Sequence, residues 1–141
     1  MLDIILIQHD GSGINLVEYR QDHTKIGTDH SAIFSGFLSA IQNITTELNI
    51  GTVILISTQG SQGHNCIIVP QPPINVILLV DHDDPIDLWR EQGHLIADKF
   101  IERYGSDFNP NDLTKFKNFS STLKELCSTH EYCEKEILKY L

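Results

Sequence analysis

The sequence lacks any apolar run longer than a few residues, so no segment reaches the roughly 20 residues a membrane-spanning helix needs. No basic N-terminal stretch leads into an apolar one, so no signal peptide is expected. Basic residues are few: 10 Lys and Arg stand against 19 Asp and Glu, a formal net charge of −9. Such a surface repels phosphate backbones and disfavours nucleic acid as a partner. Residues 1–80 carry six acids and two bases, and residues 81–141 carry thirteen acids and eight bases, so neither half offers a basic patch for an anionic membrane. Cysteine is scarce too, at three residues. The odd count suggests no disulfide framework, and Cys127 and Cys133, six positions apart, match neither zinc nor redox spacing. Together these absences predict a protein of the reducing cytoplasm, reaching membranes only through partners. Sequons at Asn43-Ile44-Thr45 and Asn118-Phe119-Ser120 fall in predicted helices of a chain with no expected export signal, and carry no weight.

What is present is an ordinary globular composition: 141 residues, 40% hydrophobic and 21% charged, enough for one domain with a real core. The β-branched run Ile4-Ile5-Leu6-Ile7 predicts a strand covered on both faces. Asp10-Gly11-Ser12-Gly13 turns it into a second strand over Ile14 to Tyr19, whose imperfect alternation suits a sheet edge. Between Asp29 and Asn49, Ile33, Phe34, Phe37, Leu38, Ile41, Ile44 and Leu48 fall on one helical face. Asp29 or Ser31 can cap its start, and Gly36 inside it predicts close approach to the sheet. Three strands follow, at Val53–Ile56, Cys66–Val69 and Val76–Val80, joined by short turns as an antiparallel meander with the last placed centrally. Asp84 and Pro85 read as cap and first residue of a second helix with Ile86, Trp89, Gly93, Ile96, Ala97, Phe100 and Tyr104 inward and Gly105 as stop. Asn109-Pro110 opens a third, with Leu113, Phe116, Phe119, Leu123 and Leu126 on one side, and a helical tail is expected at 128–141. The expectation is an α+β domain: one five-stranded antiparallel sheet, the first helix on one face and the other two on the opposite face.

That order, with Ile4-Ile5-Leu6-Ile7, the stretch Gly13 to Tyr19, the helix Ile33-Phe34-Ser35-Gly36-Phe37-Leu38-Ser39-Ala40-Ile41, and the spacing of Phe100, Tyr104, Phe116 and Phe119, resembles the longin domains and their profilin-like and roadblock relatives. The helix is similar to the first helix of free-standing archaeal longin-like proteins. The resemblance spans about residues 3–125. It implies a non-catalytic core role for those positions. Longin domains occur in vesicle-fusion proteins, clathrin-adaptor small subunits and exchange factors for Rab-type GTPases, and roadblock relatives are GTPase-regulating dimers. They bind through the outer side of the first helix and the free sheet edge. The sequence departs from the vesicle-fusion type, with no coiled-coil heptads and no anchor to be seen.

Several residues invite chemistry. Gly11-Ser12-Gly13 and Gly60 to Gly63 lack the lysine and following helix of a phosphate loop, and read as turns. Asp81-His82-Asp83-Asp84 offers metal-binding groups, but neighbours in extended chain point in opposite directions. The seven histidines, His9, His23, His30, His64, His82, His94 and His130, contain no i, i+4 pair on a shared helix. No oxyanion site accompanies Asp29, His30 and Ser31, and Cys66 lies in an apolar strand that keeps its thiol protonated. Trp89 is in phase with the core stripe. The reading is therefore an interaction domain with no cofactor and no metal. Its partner is a small GTPase or another longin or roadblock-type domain, including a second copy, met by Ile14, Leu16 and Tyr19 on the edge strand and Gln42, Thr45 and Thr46 on the outer side of the first helix. The alternative is a small-molecule sensor or metal-dependent enzyme built near residues 81–84 or His64.

Overall fold

The structure, a computed structural model, describes residues 1–129 and Cys133, leaving aside the side chains of Thr28, Asp29, Ser31, Ser128 and Thr129. The elements run β1 (Leu2–His9), β2 (Asn15–Arg20), α1 (Thr28–Glu47), β3 (Leu55–Ser57), β4 (His64–Gln71), β5 (Ile74–Asp81), α2 (Ile86–Tyr104), a 3₁₀ turn (Leu113–Phe116) and α3 (Phe119–Thr129). All five strands form one antiparallel sheet in the order β2-β1-β5-β4-β3. The hairpin and the meander thus join through β1 and β5, so the order across the sheet departs from chain order. The apolar β5 sits at the centre and β2 at an edge.

The two faces are unequally covered. On one, Leu2, Ile5, Ile7, Val76, Leu78 and Val80 meet Trp89, Ile96, Ala97 and Phe100 of α2 and Phe119 and Leu123 of α3 in a large core. Phe100 is its hub, with Phe116 and Phe119 rings 5.5 and 5.2 Å away in tilted and edge-on contact. On the other face a smaller core gathers Ile4, Leu6, Cys66, Ile68 and Ile77 around Leu38, the fully buried apolar residue of α1 among those described.

Five expectations need correction. The third helix does not run on from Asn109: the segment breaks into the 3₁₀ turn and α3, and Leu113 is left exposed. Asp84 does not cap α2, whose N-cap is Pro85; its buried carboxylate accepts a hydrogen bond from Trp89 Nε1 at 3.0 Å and another from the Met1 ammonium. Gly36 makes no close approach, because a β-carbon there would meet open space. The crowded glycines include Gly93, packed on Val69, Gly63, where a β-carbon would lie 2.8 Å from the Thr58 carbonyl oxygen, and Gly13, which has φ +74° and would set a β-carbon 2.8 Å from Ser39 Oγ. Cys127 and Cys133 are joined as a disulfide with Cα atoms 5.5 Å apart, a pairing the odd count had hidden. Asp29 and Ser31, expected as caps, fall inside α1, which already begins at Thr28; the tail beyond Thr129, apart from Cys133, lies outside the described residues. The N-cap of α1 is Gly27, whose N–H donates to His30 Nδ1 at 3.1 Å.

Candidate functional site

The helix that looked most regular in sequence is the one the fold buries least. Leu38 is inside and Phe34 and Ile41 are half-buried, but Ile33 is 72% exposed and Leu48 63%, with Phe37 and Ile44 also in solvent. The polar anchors are better defined than the apolar one. Near its start, Asn15 of β2 and Ser35 exchange hydrogen bonds at 2.6 and 2.9 Å. Farther along, the Gln42 amide donates to Val53 C=O at 3.0 Å and accepts from Val53 N–H at 3.2 Å. The exposed apolar side chains continue past the helix through Ile50, Ile54 and Leu55 to β3, the second sheet edge. Where α1 stands off the sheet, a cavity of about 600 Å³ opens, lined by Ile4, Leu6, Phe34, Phe37, Ile56 and His64 among others.

These placements bear on the residues expected to touch a partner. Leu16 is buried, and Ile14 and Tyr19 pack against the core under α2 and α3. The β2 edge can therefore offer its backbone, while those side chains mostly face inward. Gln42 is engaged as the clamp on Val53. The Thr45 and Thr46 hydroxyls donate back to the Gln42 carbonyl at 3.1 and 2.8 Å, Thr46 lying in solvent. The sequence reading missed the apolar side of the same helix as a surface, because periodicity shows which residues share a face but not whether the sheet reaches that face.

A polar cluster lies at one end of the same sheet face. Strand pairing sets His64 opposite Asp81, and alternation turns both toward α1 together with Cys66 and Leu79. Asp3 joins them through an irregularity. The β1–β5 register shifts between Leu2 and Ile4. Leu2 and Ile5 both face α2, which leaves the two residues between them on the α1 side. His64 Nε2 then lies 3.4 Å from Asp3 Oδ1 and 3.7 Å from Asp81 Oδ1, and His23 Nε2 lies 3.6 Å from the same Asp3 oxygen. Burial pushes the Asp81 carboxyl above its ordinary range, and Asp84 and Asp3 add to this against the opposing N-terminal ammonium and His64. Of the tetrad Asp81 to Asp84, only Asp81 enters the cluster; His82 pairs outward with Asp83 and Asp84 is buried beside Trp89. The glycine turns behave as turns: His9 Nδ1 accepts the Ser12 N–H at 3.2 Å inside the first hairpin.

No protein-family model matches the sequence, and no curated protein matches it. A five-stranded antiparallel sheet with α1 on one face and α2 and α3 on the other is a longin/roadblock-like fold. Among solved structures, Myxococcus xanthus MglB is similar in fold at 12% sequence identity, with a TM-score of 0.53 over 75% of this chain and 85% of that one.

Proposed function

We propose that this chain is a non-catalytic interaction domain serving small-GTPase regulation, and that it works through the apolar side of α1. One observation carries the reading. Ile33, Phe37, Ile44 and Leu48 share a helical face and remain in solvent, an arrangement that a chain gains from only if something covers it. The occupant we assign is another longin/roadblock-type domain, in the simplest case a second copy. A chain of net charge −9 repels its own copies, so self-association needs a neutral patch. Among residues 28–47, Asp29 and Glu47 are the two ionised at neutral pH without histidine, and the stretch between them carries none. An isologous pairing about α1 would also bring two β3 edges near each other, with Ile54 and Leu55 exposed at each. The resemblance to roadblock relatives and the likeness of fold to MglB support the GTPase connection.

Two measurements test this. Mass by light scattering after size exclusion should give a dimer, and capture from a panel of small GTPases, loaded with GDP or a GTP analogue, should retain at least one. A strict monomer that captures no GTPase in either state would remove the reading.

A further inference from the structure

We propose that Asp3, His64 and Asp81 form a binding site for a divalent transition-metal ion of the zinc type. This goes beyond the docking function and does not depend on it.

The first argument is distance. The His64 Nε2 contacts of 3.4 and 3.7 Å are too long for hydrogen bonds, which run about 2.7–3.2 Å. Two donors sharing a tetrahedral zinc at about 2.0–2.1 Å stand about 3.3–3.4 Å apart. All three ligand atoms lie within 4.8 Å of one another.

The second argument is that the other atoms of His64 and Asp3 are already hydrogen-bonded, as the outer partners of a metal site require. His64 Nδ1 lies 2.7 Å from the Gln62 carbonyl. A carbonyl only accepts, so Nδ1 carries a proton, and Nε2 is the ring nitrogen turned toward the two carboxylates. Thr24 Oγ1 donates to Asp3 Oδ2 at 2.8 Å, leaving Oδ1 for the cluster. Asp81 Oδ2 faces the N-terminal ammonium at ion-pair distance, 3.6 Å, with no hydrogen bond between them, and Oδ1 faces His64.

The third argument is charge and donor type. Asp3 is 7% exposed, and among the described residues no lysine or arginine forms an ion pair with it; Asp81 has the N-terminal ammonium at 3.6 Å as its one non-histidine cation. One imidazole nitrogen and two carboxylates suit zinc and its neighbours better than calcium or magnesium, which prefer all-oxygen shells. His23, on the same Asp3 oxygen, supplies a further donor at the rim. The register shift in β1 is what delivers Asp3, and bulges commonly re-aim a side chain in this way.

The test uses the full chain, stripped with a chelator and titrated with Zn²⁺ or Co²⁺ by calorimetry, visible spectroscopy and thermal unfolding. The expected result is one ion per chain, a raised Tm, and a tetrahedral Co²⁺ spectrum without the thiolate charge-transfer band a cysteine site would give. H64N and D81N, each near-isosteric, should weaken binding at least about tenfold while circular dichroism stays native. H82N and D83N should leave it unchanged. No binding by the wild-type chain, a thiolate band, or binding that survives in the H64N/D81N double variant would overturn the assignment.

Discussion

A β-carbon on Gly93 would lie 2.5 Å from Cγ2 of Val69. α2 therefore rests on β4 at the closest approach its backbone allows, and glycine is the residue that allows it. Replacing Gly93 with alanine should lower stability by about 1–3 kcal/mol from overpacking, outweighing the gain of up to about 1 kcal/mol in helix propensity. Gly36 is the control, since it also lies mid-helix but faces open space. Gly36→Ala should raise stability by about 0.5–1 kcal/mol. Urea unfolding of both variants at a concentration where wild type is monomeric checks the pair, and equal signs would contradict the packing described.

Along α1, burial separates residues that sequence cannot. Leu38 is 2% exposed and the helix's one fully buried apolar side chain among those described, so Leu38→Ala should cost about 2–5 kcal/mol. Phe37, its neighbour, is 52% exposed. Phe37→Ser, losing only the covered half of the ring, should cost the isolated chain about 1–2 kcal/mol, less than Leu38→Ala. If α1 is the dimer surface, the same change should abolish or strongly weaken self-association in sedimentation. A loss of monomer stability in Phe37→Ser as large as that of Leu38→Ala would mean that the side chain is part of the core after all.

Asp84 and Trp89 supply a second discriminating case. A helix cap replaced by alanine costs about 1 kcal/mol and would leave a distant indole undisturbed. The buried Asp84 carboxylate instead holds the Trp89 N–H. Asp84→Ala should cost about 1–3 kcal/mol by leaving that donor unpaired. Trp89 is the single tryptophan, so its native emission reports the site directly and should shift. An unchanged spectrum with a small stability loss would favour capping instead.

Much of the architecture was legible because it is written in local periodicity. The strands, the α2 stripe from Trp89 to Phe100 and the Gly105 stop all follow from spacing and turn chemistry. What was illegible depends on partners distant in sequence. Nothing about Asp3 marks it in the chain; a register shift against β5 and the pairing of His64 with Asp81 bring it into a cluster. Nothing about Asp84 distinguishes a cap from an indole acceptor five residues on. Cys127 and Cys133 gave no signal because spacing alone does not fix the geometry of a disulfide. For α1, the pattern was read correctly as a face, but its exposure is decided by how far the helix stands from the sheet.

Cys66 gives the pH-dependent prediction. It is buried on β4 beneath α1, and burial pushes its thiol from 9.0 up to about 12. At pH 8 only about one thiol in ten thousand is then ionised in the native state. Native protein should resist iodoacetamide at that site, and denatured protein should react within minutes; peptide mapping by mass spectrometry resolves Cys66 from Cys127 and Cys133. The stability consequence has a definite sign. An acid whose folded pKa is raised keeps its proton longer in the native state, so the unfolded chain binds fewer protons once pH exceeds 9.0. Below that value Cys66 leaves stability independent of pH, and above it stability falls. Cys66→Ala, after its own packing loss, should flatten the alkaline part of the unfolding curve relative to wild type. Rapid alkylation of Cys66 in the native state, or an alkaline slope unchanged in the variant, would show that the space under α1 is open to solvent down to the sheet.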